Sequence, residues 1–401
     1  MHPIILIAGA LVALGVGLDA FQTVILPRRP SGRLLRITQI FYLLTWTPWV
    51  CVAEWVRSRK LREQIYSIFG PVSLLLLLGL WALLLVVAFG MIYFGLGTPF
   101  HDTLTLGHGQ IDRLGTAFYV SGTTLFTLGL GDVIPTSRLA RMLVAMEAGT
   151  GLGFVALVIG YVPILYQTFS HREVSVALLD VRAGSPPTAT ELLRRHSFEG
   201  GDQALIQLLA EWERWSAEIL ETHVSYPLLA YYRSQHDNQS WLTALVAVLD
   251  TCALLITTID GPSVRQAQLT FATARHAVVD LGHVFHIEGL GTRVSEAPDR
   301  LPKETFYQLC DSLGQMEVQL CGDPEAMKRL TAIRKLYEPH AFALAEYLKM
   351  PLPLWVAEPK KTDQWKTVAD LRMTREAVLR GSSHVSAQST SAAHLHEEED
   401  F

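Results

Sequence analysis

Apolar residues crowd into the first 170 positions of this 401-residue chain, whereas the remainder alternates apolar and charged residues. A helix that crosses a bilayer needs about 20 apolar residues. Three runs meet that length: 3–26, broken only by Asp19 and Gln22, then 71–96, then 139–169 after a short basic start. They predict three spans, with the change of class near His171 and Arg172.

The run 38–56 is ambiguous. It is apolar and rich in tryptophan (Trp46, Trp49, Trp55) but holds Pro48 and Glu54. Arg28, Arg29, Arg33 and Arg36 precede it, and Arg57, Arg59, Lys60 and Arg62 follow it. Short basic loops stay on the cytoplasmic side, so a full crossing would put one cluster outside. An interfacial amphipathic helix with tryptophans at headgroup depth is the favoured reading, and a fourth crossing is the alternative. The N-terminus is then outside, and everything after His171 is cytoplasmic. Met1, His2 and Pro3 lead straight into the apolar run, which reads as an anchor rather than a cleaved signal.

Downstream, apolar residues at 205, 208, 209, 212, 215 and 219 follow the 3.6-residue period of a helix with one buried face. Asp202 is the expected N-cap, and Gly261-Pro262 and Asp323-Pro324 mark helix starts. No strand-type alternation persists, so the fold class is all-α. The run 241–259 has the length of a span, but a mid-membrane Asp250 would be costly, which favours the core of a soluble bundle. The tail 381–401 has no apolar periodicity and reads as disordered.

Composition narrows the partners. Half the residues are hydrophobic, and 33 Lys+Arg against 38 Asp+Glu give a net charge of −5. No dense basic face argues for a nucleic-acid partner. Cys51, Cys252, Cys310 and Cys321 lack CxxC spacing, so neither a zinc finger nor a disulfide scaffold is expected. The expected organisation is an anchor span over 1–26, an amphipathic segment over 27–70, a two-span unit over 71–170, a helical domain over 171–380 and the tail.

Between the last two spans lies 114–135, LGTAFYVSGTTLFTLGLGDVIP. A short helical run ends near Phe126, and Thr127, Leu128, Gly129, Leu130, Gly131 and Asp132 follow. Successive backbone carbonyls around a four-fold axis can replace a cation's hydration shell. Aiming them all inward needs an alternation of backbone handedness that glycine tolerates. Gly129 and Gly131 alternate in this way, and non-helical backbone at membrane depth requires a wet cavity shared among subunits.

This segment closely resembles the selectivity filter of potassium channels, usually Thr-Val-Gly-Tyr-Gly-Asp followed by a hydrophobic residue or two and proline. The flanking spans match that family's outer-helix, pore-loop, inner-helix unit over about a hundred residues. The chain is similar to a prokaryotic member with an extra N-terminal span and a helical cytoplasmic domain. The resemblance implies a homotetramer in the inner membrane, potassium ions in a filter at Thr127–Gly131, Asp132 at the outer mouth, and no enzymatic activity. Two positions depart from the pattern: Leu130 replaces the usual aromatic, and Phe126 stands where a small or hydroxylated residue is common. Leucine at this place occurs in the second pore loop of some two-pore-domain potassium channels. A non-selective pore, or a non-conducting receptor or scaffold that kept the fold, are the alternatives.

Gly149, Gly151, Gly153, Gly160 and Pro163 in the third span serve either as a gating hinge or as packing positions. Glu147 is expected to face the bundle interior or the cavity. No span carries arginine at every third position, and no GxGxxG turn follows a strand, so neither a voltage sensor nor a nucleotide-binding regulatory domain is expected. The regulatory candidates are His276, Asp280, His283, His286 and Glu288. They could hold a divalent metal or sense protons, or be ordinary polar positions on a helix, which is the favoured reading. The stretch 221–238, with His223, Tyr231 and Tyr232, reads as a helix junction more readily than a pocket.

Overall fold

A computed structural model describes residues 2–26, 36–102, 110–198, 200–235, 239–259, 261–285, 287, 299–314 and 324–356. It is all-α apart from one short two-stranded ribbon. The expectations for His286, Glu288, Cys321, residues 236–238 and the tail 381–401 lie outside the described residues.

Helix α1 (Pro3–Val24) runs antiparallel to α3 (Arg59–Gly95), with the amide of His2 donating to the Gly95 carbonyl at 2.8 Å. The two backbones approach closely because small residues line the contact: a Cβ on Gly95 would meet the backbone of Leu6, and one on Gly9 the carbonyl of Ala88. Near the other end, Asp19 is buried and accepts from the Trp81 indole at 2.9 Å. The same carboxylate accepts from the Thr38 amide (3.1 Å) and hydroxyl (2.7 Å). Asp19 therefore caps the first turn of α2 (Ile37–Trp55) from a different helix, taking an N–H that has no partner within its own helix.

Helix α2 is held against α3 and the C-terminal part of the chain. Its Trp46 indole donates to the Tyr347 carbonyl (3.0 Å) and its Trp49 indole to the Ile65 carbonyl (2.9 Å). Trp46 packs against Tyr66, Phe69 and Tyr231. Of the three tryptophans placed at headgroup depth by the sequence, only Trp55 is exposed; the other two are held by protein partners.

Helix α3 begins at Arg59, ahead of the expected start at 71, because Pro71 removes one ladder bond without ending the helix. Residues 59–70 pack onto the C-terminal helices instead. Arg233 joins Glu63 at 3.0 Å, lies over the Tyr66 ring and donates to the Leu348 and Lys349 carbonyls. A ribbon of β1 (Phe100–Asp102) and β2 (Val133–Pro135), antiparallel with His101 opposite Ile134, brackets α4 (Gln110–Leu125). Helix α5 (Arg138–Ala183), capped by Ser137, then runs unbroken through Pro163 and past 169.

The C-terminal helices are α6 (Ala189–His196), α7 (Gly201–Ser225), a 3-10 turn (Pro227–Tyr231), α8 (Trp241–Thr258), α9 (Ser263–Val284), α10 (Lys303–Gly314), α11 (Pro324–Arg334) and α12 (Glu338–Leu348). The cap of α7 is Gly200 in the left-handed region (φ 80°), not Asp202, which sits in the first turn. Although α8 is apolar and long enough to cross a bilayer, it is enclosed by α5, α6, α7, α9, α11 and α12. Its Asp250 is fully buried and pairs with both arms of Arg300 (3.2 and 2.5 Å) and with the Tyr337 hydroxyl (2.5 Å). Burial opposes the charge on Arg300, but the Asp250 carboxylate outweighs it and holds the guanidinium pKa above its ordinary value.

Candidate ion pathway

Helix α4 carries the site. Ala117, Val120, Ser121 and Leu125 recur at helical spacing and are buried, while Leu114 and Tyr119 are exposed. The buried side rests on α3, where Gly90 admits the Phe118 ring. The helix ends in a paired-bond stop: the Thr127 amide donates to the Thr124 carbonyl (2.9 Å), and the Leu128 amide to the Thr123 carbonyl (2.8 Å). This motif requires a left-handed residue at Thr127, whose φ is 56°, an uncommon conformation for a β-branched side chain.

Beyond that stop the handedness alternates. Gly129 (φ 57°) and Gly131 (φ 79°) are left-handed, and Leu128 and Leu130 between them are not. A Cβ at either glycine would meet open space, so glycine is needed there for backbone conformation rather than for room. The six residues from Phe126 to Gly131 are all exposed, including the apolar side chains of Phe126, Leu128 and Leu130. A bare, glycine-dependent, apolar loop between two long apolar helices is a surface that a single chain leaves open. The next residue, Asp132, is fixed: its Oδ2 accepts from the Tyr119 hydroxyl at 2.6 Å, tying the mouth of the loop back to α4.

Helix α5 supports α4 from below. A Cβ on Gly151 would run into the carbonyl oxygen of Leu125, so this glycine is a close-approach position. Gly149, Gly153 and Gly160 have nothing within reach, and α5 is continuous through all of them and through Pro163. Glu147 is fully buried and does not face a cavity. It bonds Tyr93 of α3 and Ser121 of α4. At the lower end of α5, Arg172 is buried and donates to the carbonyls of Leu229 and Tyr232, each at 2.8 Å. It also meets His223 Nε2 at 3.2 Å, so the stretch read as a junction is one.

The regulatory candidates come together only in part. Asp280 lies 3.4 Å from His276 Nε2 and 3.8 Å from His283 Nδ1, and the ring of His340 from α12 stands edge-on to His283. Among the described residues no group of three ligands is placed to hold a metal. Sequence reasoning passed over Arg172, which it used only as a boundary, and the His340 contribution, which no spacing signals.

Residues 81–167, from the middle of α3 through α4 and the exposed glycine loop to α5, match a family described as ion channel. This segment is similar to the pore unit of an ion channel. An uncharacterized membrane protein of Bacillus subtilis, YdjJ, is 25% identical over 299 residues, 70% of this chain and 85% of its own length. No solved structure matches. The pore domain and the long apolar helices α1, α3 and α5 make this an integral membrane protein.

Proposed function

We propose that four copies of this chain assemble into a gated cation channel of the potassium type, conducting through the carbonyls of Thr127, Leu128, Gly129, Leu130 and Gly131. The observation that carries the reading is the alternation of left-handed residues at 127, 129 and 131 in an exposed loop at the end of a buried pore helix. Such alternation turns consecutive carbonyls to one side, which is the geometry that replaces a hydration shell. Asp132 adds negative charge at the mouth, and Leu130 contributes packing but no hydroxyl to neighbouring side chains.

In this reading the helices α6–α12 lie in the cytoplasm and bias the pore through Arg172, with the N-terminus on the opposite side. The basic cluster Arg57, Arg59, Lys60 and Arg62 supports that orientation, since it lies where α3 meets the C-terminal helices. The membrane is the inner membrane of a bacterium, potassium ions occupy the filter, and an unidentified ligand, a proton or a divalent metal acts on the cytoplasmic helices.

The test is ion flux into liposomes holding purified protein, driven by a potassium gradient and repeated with sodium, beside a Gly129→Ala variant. Potassium-selective flux that the variant abolishes supports the full proposal. Equal flux of both ions reduces it to a non-selective pore, and silence under every gradient, pH and metal condition leaves a membrane receptor or scaffold.

A further inference from the structure

Glu147 sits where three helices of the pore domain meet, and the hydrogen bonds around it need one more proton than its neighbours possess. Its Oε2 accepts from the Tyr93 hydroxyl at 2.5 Å. Its Oε1 lies 2.5 Å from Ser121 Oγ, and that same Oγ lies 2.9 Å from the carbonyl oxygen of Val86. A carbonyl only accepts, and a serine hydroxyl has a single proton to donate. If Ser121 gives its proton to Val86, the short contact with Glu147 is a hydrogen bond only when the carboxyl itself carries the proton.

The surroundings agree. Glu147, Ser121 and Tyr93 are each fully buried, and no cation pairs with Glu147 among the described residues. An ionised carboxylate without a cation is strongly disfavoured in such a place, and neutralisation is the usual outcome. Tyr93 is the titratable group that α3 presents to it, and α4 presents only the serine. Two charged groups that flank this unit in sequence bond other partners: Asp132 the Tyr119 hydroxyl at 2.6 Å, and Arg141 the Pro135 carbonyl at 3.4 Å.

We propose that Glu147 is a neutral carboxylic acid that donates to Ser121 and so positions the pore helix against α3 and α5 at once. Its reach to the filter is short. Glu147 and Gly151 are four apart on α5, and they meet Ser121 and Leu125, four apart on α4, so the two helices are registered one turn against one turn. Leu125 is the last residue of α4, two before Thr127. Loss of the proton leaves too few donors for both contacts of Ser121: either Val86 or Glu147 loses its bond, and α4 is released from α3 or from α5. Glu147 touches no ion and acts through Ser121. The consequence for conduction rests on the pore reading above, but the protonation state does not.

The experiment compares the full chain in liposomes with Glu147→Gln, Glu147→Ala and Ser121→Ala, by infrared difference spectroscopy and by ion flux across a pH series. The wild type should show the carbonyl stretch of a protonated carboxylic acid at neutral pH, absent from the Gln variant. Gln keeps an acceptor for Tyr93 and a donor for Ser121. It should match wild-type flux and ion preference at neutral pH and lose the decline seen on alkalinisation, whereas Glu147→Ala and Ser121→Ala lose flux or preference outright. An ionised carboxylate band at neutral pH, or a Gln variant as impaired as the Ala variant, overturns the proposal. Should the Ala variant not assemble, the comparison of Gln with wild type still decides. If nothing conducts, the infrared band decides the protonation while the channel reading fails by itself.

Discussion

Arg172 donates to the Leu229 carbonyl at 2.8 Å, so the lower end of the pore-domain helix α5 is tied to the 3-10 turn that connects α7 to α8. The guanidinium lies over the rings of Phe169 and Trp241 and also holds the Tyr232 carbonyl. A methionine fills similar space but takes the guanidinium donor from the Tyr232 carbonyl and leaves the Leu229 carbonyl only its bond from the Tyr232 amide, a loss worth about 1–3 kcal/mol for a buried group left unpaired. Arg172→Met is expected to lower the unfolding midpoint of the full chain and to loosen the junction. The check is limited proteolysis in detergent, where cleavage between 226 and 240 should accelerate while the pore domain stays intact.

His223 makes that junction sensitive to acid. Its Nδ1 faces the Ile219 carbonyl at 3.0 Å and must carry the ring proton, which leaves Nε2 to accept from Arg172. Burial first, and then the Arg172 charge, push its pKa well below the ordinary histidine value. The unfolded chain therefore binds more protons than the folded one as pH falls below about 6.5, and stability rises with pH through that window. Acidification should destabilise the wild type progressively. His223→Gln, whose side-chain oxygen can accept from Arg172 without titrating, should flatten the slope. Thermal unfolding followed by tryptophan fluorescence at several pH values reads it, and an unchanged slope in the variant would remove His223 as the source.

How far the sequence announces this architecture depends on the range of each signal. The exposed glycine loop is legible because its conformation is local: Thr127, Gly129 and Gly131 alternate within five residues, and alternating handedness is a demand on neighbouring residues. The burial of α8 is legible through Asp250, since an acid at its centre argues against lipid. Long-range partners are not legible. Nothing in the spacing of Asp19 says that it caps a helix beginning at Ile37, and nothing near Trp46 foretells a bond to the Tyr347 carbonyl. The start of α3 is misread for a physical reason, because a proline fits a first turn equally well and a helix survives one missing bond when its faces are packed.

Arg300 and Asp250 form a buried ion pair that ties the loop before α10 to α8. Arg300 also reaches Glu338 at 3.0 Å and the Pro353 carbonyl at 2.8 Å. Burial raises the Glu338 pKa, and the neighbouring Arg334 and Arg300 only partly offset it. Removing one partner of a buried pair leaves an uncompensated charge, at a cost of about 3–5 kcal/mol. Arg300→Met should destabilise by that order, and adding Asp250→Asn in the same chain should recover part of the loss. Chemical denaturation of the single and double variants measures the coupling. Equal, additive losses would show that the pair does not act as a unit.

Gly151 separates packing from hinging in α5. If its role is close approach, as its contact with the Leu125 carbonyl indicates, Gly151→Ala forces the last turn of α4 to move, and overpacking of this kind costs about 1–3 kcal/mol. Gly149→Ala and Gly153→Ala meet open space, and alanine there should help the helix by up to about 1 kcal/mol. A hinge removes that ranking, because stiffening any of these glycines would hinder bending wherever it lies. The measurement is flux, together with thermal stability, for the three single variants. Loss of both in Gly151→Ala alone assigns that glycine to the support of the filter, whereas normal stability with slowed flux in all three assigns the run to bending.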